Sequence, residues 1–378
     1  MTGPLAGCRV LDLGIITAGA ATSAMLADLG ADVIKVESPG YHDPFRRWSG
    51  PGGADDSPFF RFTNRNKQGV GIDIKRPEGR AVFMRLVARS DVVVENFRRG
   101  VLAKLGIDYP QLRAVRPSII LASLSSHGEF GPDADRVSFG TTLEAMSGLA
   151  AETGYAGGTP TVSGRELNYP DQVVAIFAAG MVVTAWHAAQ GGQGVHLDLS
   201  QRELTSFLLG ERFVLGASGQ PRGNADPLYA LQNCYASQDK VWIAVSVEQR
   251  QLPSLVGLVA DSTVGRVQER LVRWIATRTA EEAVEALAAL GIATAPVRDG
   301  RAAAQGRGTS WWEAVGTLPD GSLAKGFPFQ FEDEPMQLTR PAPSIGQDTA
   351  QVLQDLGGYT SQEIAALRKD GVIECADT

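Results

Sequence analysis

Apolar positions along the chain cluster in short runs, some with a charged residue inside them, rather than in strict alternation, and helical patterns separate the runs. The first run, 9–13, predicts a buried strand; 20–29 predicts a helix closed by Gly30, and 32–37 predicts a second strand. Short, fully apolar strands spaced by helices are the signature of βαβ units, and so of a parallel, doubly wound α/β sheet covered on both faces. The pattern recurs, with strands expected at 71–74, 91–94, 118–123 and 195–199 and helices at 77–90, 101–115 and from 201 onward. Residues 38–69, rich in Gly, Pro and Arg, read mostly as loop. Because ligands of open α/β sheets sit beyond the carboxyl ends of strands, the loops at 15–18, 96–99 and 125–127 are expected around one crevice.

The longest apolar segment, 172–190, follows Pro170-Asp171 and is stopped by Gly191-Gly192. It is Ala-rich and includes Gly180, Thr184 and His187. That composition predicts a helix buried on all sides rather than a membrane span, with His187 as a core histidine. Asp171 stands where a helix N-cap is expected. The free N–H groups and the helix dipole there would hold the carboxylate ionised and lower its pKa. Two readings of Asp171 stay open at this point, a structural cap or a charged nucleophile at a buried helix mouth.

Beyond 216 the pattern changes. Strands at 230–236 and 241–246 predict a hairpin turning at 238–240, and helices follow near 249–258, 264–277 and 280–290. The resulting plan is a large domain of 1–215 and 330–378, a small α+β domain of 228–315, and linkers at 216–227 and 316–329. Helices at 348–356 and 361–369 end the chain.

A length of 378 residues favours two domains, and 44% apolar with 20% charged residues describes an ordinary globular protein. A net charge of -7 gives no sign of a nucleic-acid partner, although a local basic pocket for an anion is compatible with it. Cys8, Cys234 and Cys375, odd in number and far apart, suggest neither a disulfide framework nor a zinc site, and fit a reducing cytoplasm. No basic-then-apolar signal pattern opens the sequence.

Several chemistries drop out on spacing. His42, His127, His187 and His196 show no metal-ligand spacing, and neither a G-x-S-x-G elbow nor a phosphate-binding Walker loop is present. Glu37 ends the second strand where a dinucleotide site would carry its acid, but Gly14 and Gly19 stand five apart and do not make G-x-G-x-x-G. What remains is Asp171 and a scatter of cations: Arg46, Arg47, Arg65, Lys67, Lys75, Arg98, Arg99, Lys104 and Arg136. Several of these at strand ends near one crevice would suit a phosphorylated ligand.

An ordered series of blocks carries the reading further. It runs Leu5-Ala-Gly-Cys-Arg-Val-Leu-Asp12, Leu26-Ala-Asp-Leu-Gly-Ala-Asp-Val-Ile-Lys-Val-Glu37, Asn64-Arg-Asn-Lys67, Ile72-Asp-Ile-Lys75 and Pro77-Glu-Gly79. It continues with Asp91-Val-Val-Val-Glu-Asn-Phe97, Leu105-Gly-Ile-Asp108, Ser147-Gly148, Thr153-Gly-Tyr155, Tyr169-Pro-Asp171 and Pro343-Ser-Ile-Gly346. In these blocks the chain resembles, over nearly its full length, the class III coenzyme A transferases, whose members include formyl-CoA, carnitine and succinyl-CoA transferases and the α-methylacyl-CoA racemases.

The resemblance implies a Rossmann-like large domain built from both chain ends, a small middle domain, and two subunits threaded through each other as an interlocked homodimer. It places Asp171 on the catalytic aspartate, with no metal. It assigns coenzyme A to Ile16, Thr17, Ala18, Ile72, Asp73, Ile74, Lys75, Asn96, Phe97, Arg98, Lys104 and Arg136. The implied reaction transfers CoA from an acyl-CoA donor to a carboxylic acid acceptor through an aspartyl anhydride and an aspartyl-CoA thioester. Racemase relatives carry His-Asp where this chain has Phe139-Gly140, which disfavours racemisation; a CoA-binding relative without turnover is the other alternative. The family's Thr-Gly-Arg-Gly-Gln is reduced here to Gly191-Gly-Gln-Gly194, and Gly223-Asn-Ala-Asp226 replaces the glycine run of formyl-CoA enzymes, which argues against oxalate or formate as substrate.

Overall fold

Strand β1 (Arg9–Asp12) pairs in parallel with β2 (Asp32–Glu37) on one side and β4 (Val92–Glu95) on the other. With β3 (Gln68–Ile72), β5 (Ile120–Ser125), β6 (His196–Ser200) and β12 (Ile373–Glu374) they form a seven-stranded sheet ordered β12-β3-β2-β1-β4-β5-β6. All of it is parallel except β12, which closes the β3 edge antiparallel. The order 3-2-1-4-5-6 is that of doubly wound sheets, and its direction reverses between β1 and β4, the place where open α/β sheets bind ligands. The computed structural model describes residues 3–48, 53–164, 167–216, 221–260, 265–304, 315–327, 331–332 and 336–376.

Adjacent strand residues feed opposite faces. Leu11, Ile34, Val70, Val93 and Leu121 enter one core cluster with the helices Pro77–Val87, Thr349–Asp355 and Ser361–Lys369. Val10, Val33, Val92, Val94 and Ile120 enter the other, under the helices Ala18–Asp28 and Tyr169–Ala188. Each such fully buried side chain contributes about 1.5–3 kcal/mol of transfer free energy, so continuous apolar strands are required when both faces are covered. The two helices on the second face pack directly on one another, and both bring small buried side chains to this core, Ala18 and Ala27 from one and Ala178, Ala179 and Ala185 from the other.

The chain divides into two compact units. One comprises Met1–Leu149, Val162–Val214 and Trp311–Thr378; the other comprises Ala150–Thr161 and Leu215–Ser310. The second unit holds an antiparallel sheet of β7 (Tyr229–Ala236), β8 (Trp242–Glu248) and β9 (Ala293–Pro296), covered by the helices Leu252–Leu258, Val267–Ala276 and Ala280–Ala289. Its core is built on Ile243, Val245, Leu271, Ile275 and Leu287. A two-stranded hairpin, β10 (Val315–Thr317) and β11 (Leu323–Lys325), belongs to the first unit and falls almost wholly in the stretch expected as the second linker. Within the expected linkers and small domain, residues 217–220, 261–264, 305–314 and 328–329 lie outside the described residues.

Several expectations are corrected. The helix expected at 172–190 begins at Tyr169, so Asp171 is its third residue and Asn168 is the N-cap. Pro170 has no N–H to lose in a first turn, so it starts the helix instead of preceding it. Nor is that helix buried on all sides. About a third is buried (33%), while Ile176 is 60% exposed and Met181 44% exposed, and His187 lies on the surface. By length and composition it is the one helix among the described residues that could cross a membrane. The helix expected over 101–115 is two, Val101–Leu105 and Tyr109–Val115, because Gly106 turns left-handed (φ 70°) and Pro110 restarts the second. Within 38–69 the helix Pro58–Asn64 appears, capped by the Ser57 hydroxyl.

Candidate active site

Past the end of β1 the chain doubles back to begin the Ala18–Asp28 helix. Gly14 and Gly19 allow this: a Cβ on Gly14 would stand 2.4 Å from the Gly19 carbonyl carbon, and one on Gly19 would stand 2.6 Å from the Gly14 Cα. Their five-residue spacing therefore serves main-chain packing. Between them Ile16 takes φ 59°, a left-handed conformation that is an outlier for a β-branched residue and costs about 1–3 kcal/mol.

Side chains from three other elements fasten this loop. Gly14 N–H donates to Asp12 Oδ1 at 2.8 Å, and the Gly14 carbonyl accepts from Lys35 Nζ. Ile15 N–H donates to Asn96 Oδ1 at 2.7 Å while Asn96 Nδ2 returns a bond to the Ile15 carbonyl at 2.9 Å. Ile16 N–H donates to the Asp43 carboxylate at 3.1 and 3.2 Å. Lys35 also reaches Asp43 at 3.1 Å, and Lys67 donates to Asp12, the Ala20 carbonyl and Asn64, each at 2.8 Å. Both ammonium groups are wholly buried. Burial opposes the Lys35 charge, yet Asp43, Asp12 and Glu37 together raise its pKa above the ordinary value. Lys67, with less anionic company and Lys35 near, is pushed by burial down to about 8.

The Asp171 helix reaches the same place from the other side. Asn168, left-handed at φ 47°, donates from Nδ2 to Thr17 Oγ1 at 3.2 Å. Glu144, buried on the helix Gly140–Ser147, accepts from Ser163 N–H at 2.8 Å and from the Ser163 hydroxyl, which in turn accepts from Tyr169 N–H at 3.3 Å. These bonds fix the approach to the helix. The Asp171 carboxylate is favoured in its charged form by the nearby Ala18 N–H, by its own main-chain N–H and by the Gln201 side chain. Ala18 is the first residue of its helix, so two helix starts, of 11 and 20 residues, aim their partial positive charge at one carboxylate. Gly140 supplies a wall without a side chain, where an added Cβ would lie 3.6 Å from Asp171 Oδ2.

The expected fall in the Asp171 pKa does not occur. Burial raises it from 3.8 to about 6, outweighing the N–H donors and Gln201. Dipoles and neutral donors do not restore what water gave the ion.

The structure sorts the expected ligand residues. Ile16, Thr17, Ala18, Asn96 and Asp171 come together at the β1–β4 switch point. The Asn96 amide is committed to the Ile15 main chain. Ile72 and Ile74 are core residues, leaving only their main chain for a ligand; Asp73 N–H is bonded to the Val372 carbonyl at 2.9 Å, and Phe97 packs against the core. Lys75, Arg98, Lys104 and Arg136 are exposed and follow the carboxyl ends of β3, β4 and β5. Arg46, Arg65 and Lys67 are not ligand cations: Arg46 is buried against Glu37 (2.6 Å) and Asp55 (2.6 Å), Arg65 against Asp28, and Lys67 against Asp12. At the end of β4, Glu95 is raised by burial to about 7 despite bonds from Ser123 and the Phe97 N–H. Gln201, Lys35 and Asp43 went unnoticed in the sequence, because a Gln after a Ser cap, a Lys inside a strand and an Asp in a loop carry no motif.

The switch point of this wound α/β sheet thus holds a partly buried carboxylate between two helix starts. The profile of CoA-transferase family III matches residues 5–349, and the chain belongs to that family. Succinate–glutarate CoA-transferase of Agrobacterium fabrum is 31% identical over 387 residues, covering 93% of this chain and 96% of that protein. Succinyl-CoA–D-citramalate CoA-transferase of Chloroflexus aurantiacus is 37% identical over 247 residues, covering 64% of this chain and 61% of that protein. A probable CoA-transferase of Mycobacterium tuberculosis is 31% identical over 98% of this chain, which spans 50% of its length. The crystal structure of a CaiB/BaiF family protein from Brucella suis matches with a TM-score of 0.85 at 27% identity, covering 94% of this chain and all of that one.

Proposed function

We propose that the chain transfers coenzyme A from an acyl-CoA thioester to a carboxylic acid, with Asp171 as the nucleophile. The observation that carries this reading is a carboxylate whose donors are all neutral, at the meeting of two helix starts. In the first step an Asp171 oxygen attacks the thioester carbonyl carbon, the C–S bond breaks, and a mixed anhydride and CoA thiolate result. The thiolate then attacks the aspartyl carbonyl, expelling the donor carboxylate and leaving an aspartyl-CoA thioester. The acceptor carboxylate attacks that thioester, the thiolate leaves again, and its attack on the acceptor's acyl carbon releases the new acyl-CoA and regenerates Asp171. Electrons and charge balance without a net proton.

The Ala18 N–H is placed to stabilise an oxyanion formed at the aspartyl carbon, since it already meets a negative oxygen there. CoA is assigned to the 16–18 loop, with Lys75, Arg98, Lys104 and Arg136 beyond the strand ends as phosphate partners. Phe139 and Gly140 supply no second base for racemisation at an α-carbon. A second copy of the chain is proposed to cover the apolar face of Ile176, Met181, Phe207 and Phe213, which stand 60, 44, 69 and 60% exposed. Sedimentation at a dimer mass supports that assembly, and a monomer at micromolar concentration removes it.

Incubation with an acyl-CoA followed by hydroxylamine is expected to leave a hydroxamate mass shift on the peptide containing Asp171. Asp171→Ala is expected to lose both the label and CoA exchange, by about 10³-fold or more. An Asp171→Ala variant exchanging CoA at the wild-type rate would overturn the reading.

A further inference from the structure

Resting on the reading of Asp171 as nucleophile, we propose that Asp43, with Lys35, Asp12 and Asn96, is a positioning residue that holds the 14–16 loop so that the Ala18 N–H stays aimed at the Asp171 carboxylate. Among Gly14, Ile15 and Ile16, five main-chain polar groups are each bonded to a side chain, those of Asp12, Lys35, Asn96 and Asp43. Three of those four side chains are fully buried, and a fourth buried charge, Lys67, stands behind Asp12 at 2.8 Å.

Stability is a poor account of such an arrangement. Replacing buried ion pairs with apolar residues is often neutral or favourable, because desolvation consumes most of what the Coulomb attraction returns. What charged groups provide here is geometry. Asp43 is fixed at both ends, its N–H on Glu37 Oε1 at 2.9 Å and its carboxylate on Phe45 N–H at 2.9 Å, before it accepts from Ile16. Ile16 is thereby kept in a conformation its own side chain disfavours. The next two residues face the start of the Asp171 helix: Thr17 Oγ1 accepts from Asn168 Nδ2 at 3.2 Å, and the Ala18 N–H is near enough to favour ionised Asp171. If Ile16 relaxed toward ordinary φ, the first N–H of the Ala18 helix would swing off the carboxylate.

The anionic surroundings of Lys35 are Asp43, Asp12 and Glu37, and Arg46 pairs Glu37 at 2.6 Å. Asp43→Asn keeps the shape but cannot serve Lys35 and the Ile16 N–H with two acceptor oxygens. In folded Asp43→Asn enzyme kcat for CoA exchange is expected to fall about 10- to 100-fold, the scale of a misplacement near 1 Å. The acid limb of the kcat–pH profile should move upward, because an N–H that favours ionised Asp171 is withdrawn. A residue that merely braces the fold would lower the melting temperature and leave the limb where it is. Asn96→Ala loosens Ile15 without stranding a buried charge; it should fold and shift kcat and the limb in the same direction by less, and it decides the matter if Asp43→Asn does not fold. Folded variants with wild-type kcat and an unmoved limb would overturn the proposal. The hydroxylamine label on wild-type Asp171 separates the two readings: its absence sinks the nucleophile itself, whereas its presence alongside unaltered variants sinks only the positioning role.

Discussion

Asp12 and Asp171 belong to the same structural unit, Asp12 wholly buried and Asp171 partly so, and the company they keep differs. Asp12, with no exposed surface, has a lysine ammonium at 2.8 Å and a main-chain N–H at 2.8 Å. Asp171 has amide donors alone and a pKa raised by burial to about 6. A carboxylate neutralised by a buried cation is tied to that cation and holds a loop. One supported only by dipoles keeps lone pairs of raised basicity. On the proposed reading of Asp171, the contrast between ion pair and bare ion separates scaffold from chemistry within one fold.

The largest effect that could break this comparison comes from the scaffold side. Lys67→Met should destabilise the protein by about 3–5 kcal/mol in urea unfolding, since Asp12 would remain buried without its partner. The double variant Lys67→Met with Asp12→Asn should recover most of the loss, and equal damage in both would show that the pair itself is not what matters.

The reactive side should respond with the opposite sign. Asp171 has a folded pKa above its ordinary one, so its contribution to stability is complete below pH 4 and is lost as pH rises through about 6. Asp171→Asn should therefore unfold at higher urea than wild type at pH 8, by up to about 3 kcal/mol, and match it at pH 4. As the proposed nucleophile Asp171 must be ionised, so kcat should climb over the window in which stability declines. Parallel curves would contradict the assignment.

A smaller version is expected at Glu95, raised to about 7 by burial, with Glu129 and Asp198 adding to the rise. Its stabilising share is full below pH 4.5 and fades as pH passes 7. Glu95→Gln should add about 1 kcal/mol at pH 8, less than the whole shift because the amide replaces only part of the bonding to Ser123 and the Phe97 N–H. Thermal melts at pH 5 and pH 8 read the difference.

Much of the fold was legible because its signals are local and redundant. β1, the helix after it and β2 fall within two residues of expectation, since runs such as Val33–Val36 fit only a strand covered on both faces. β3 was shifted because Gly69 and Gly71 weaken its strand character. Their reason lies 270 residues and more away, where Pro343 and Glu374 come within 2.7 Å of an added Cβ at each. The site was legible only in part. Asp171 stood out through Tyr169-Pro170 and the apolar helix, whereas its partners Ala18 and Gln201 are distant in sequence and chemically ordinary. The sign of its pKa shift could not be read from the chain, because it depends on how much protein encloses the carboxyl, a tertiary quantity. Lys35 and Asp43 illustrate the same limit: a charged residue inside an apolar strand signals burial only once its counterion is found.

The contact of Gly14 with Gly19 constrains anyone who would retune acyl preference by mutating this neighbourhood. With main chain already touching main chain at 2.4 Å from an added Cβ, neither site tolerates even a methyl group, so a randomised library there yields mostly misfolded clones. Productive diversity would have to come from Gly140, across the crevice from that turn, where an added Cβ meets Asn168 Oδ1 at 3.1 Å and a rotamer change can make room.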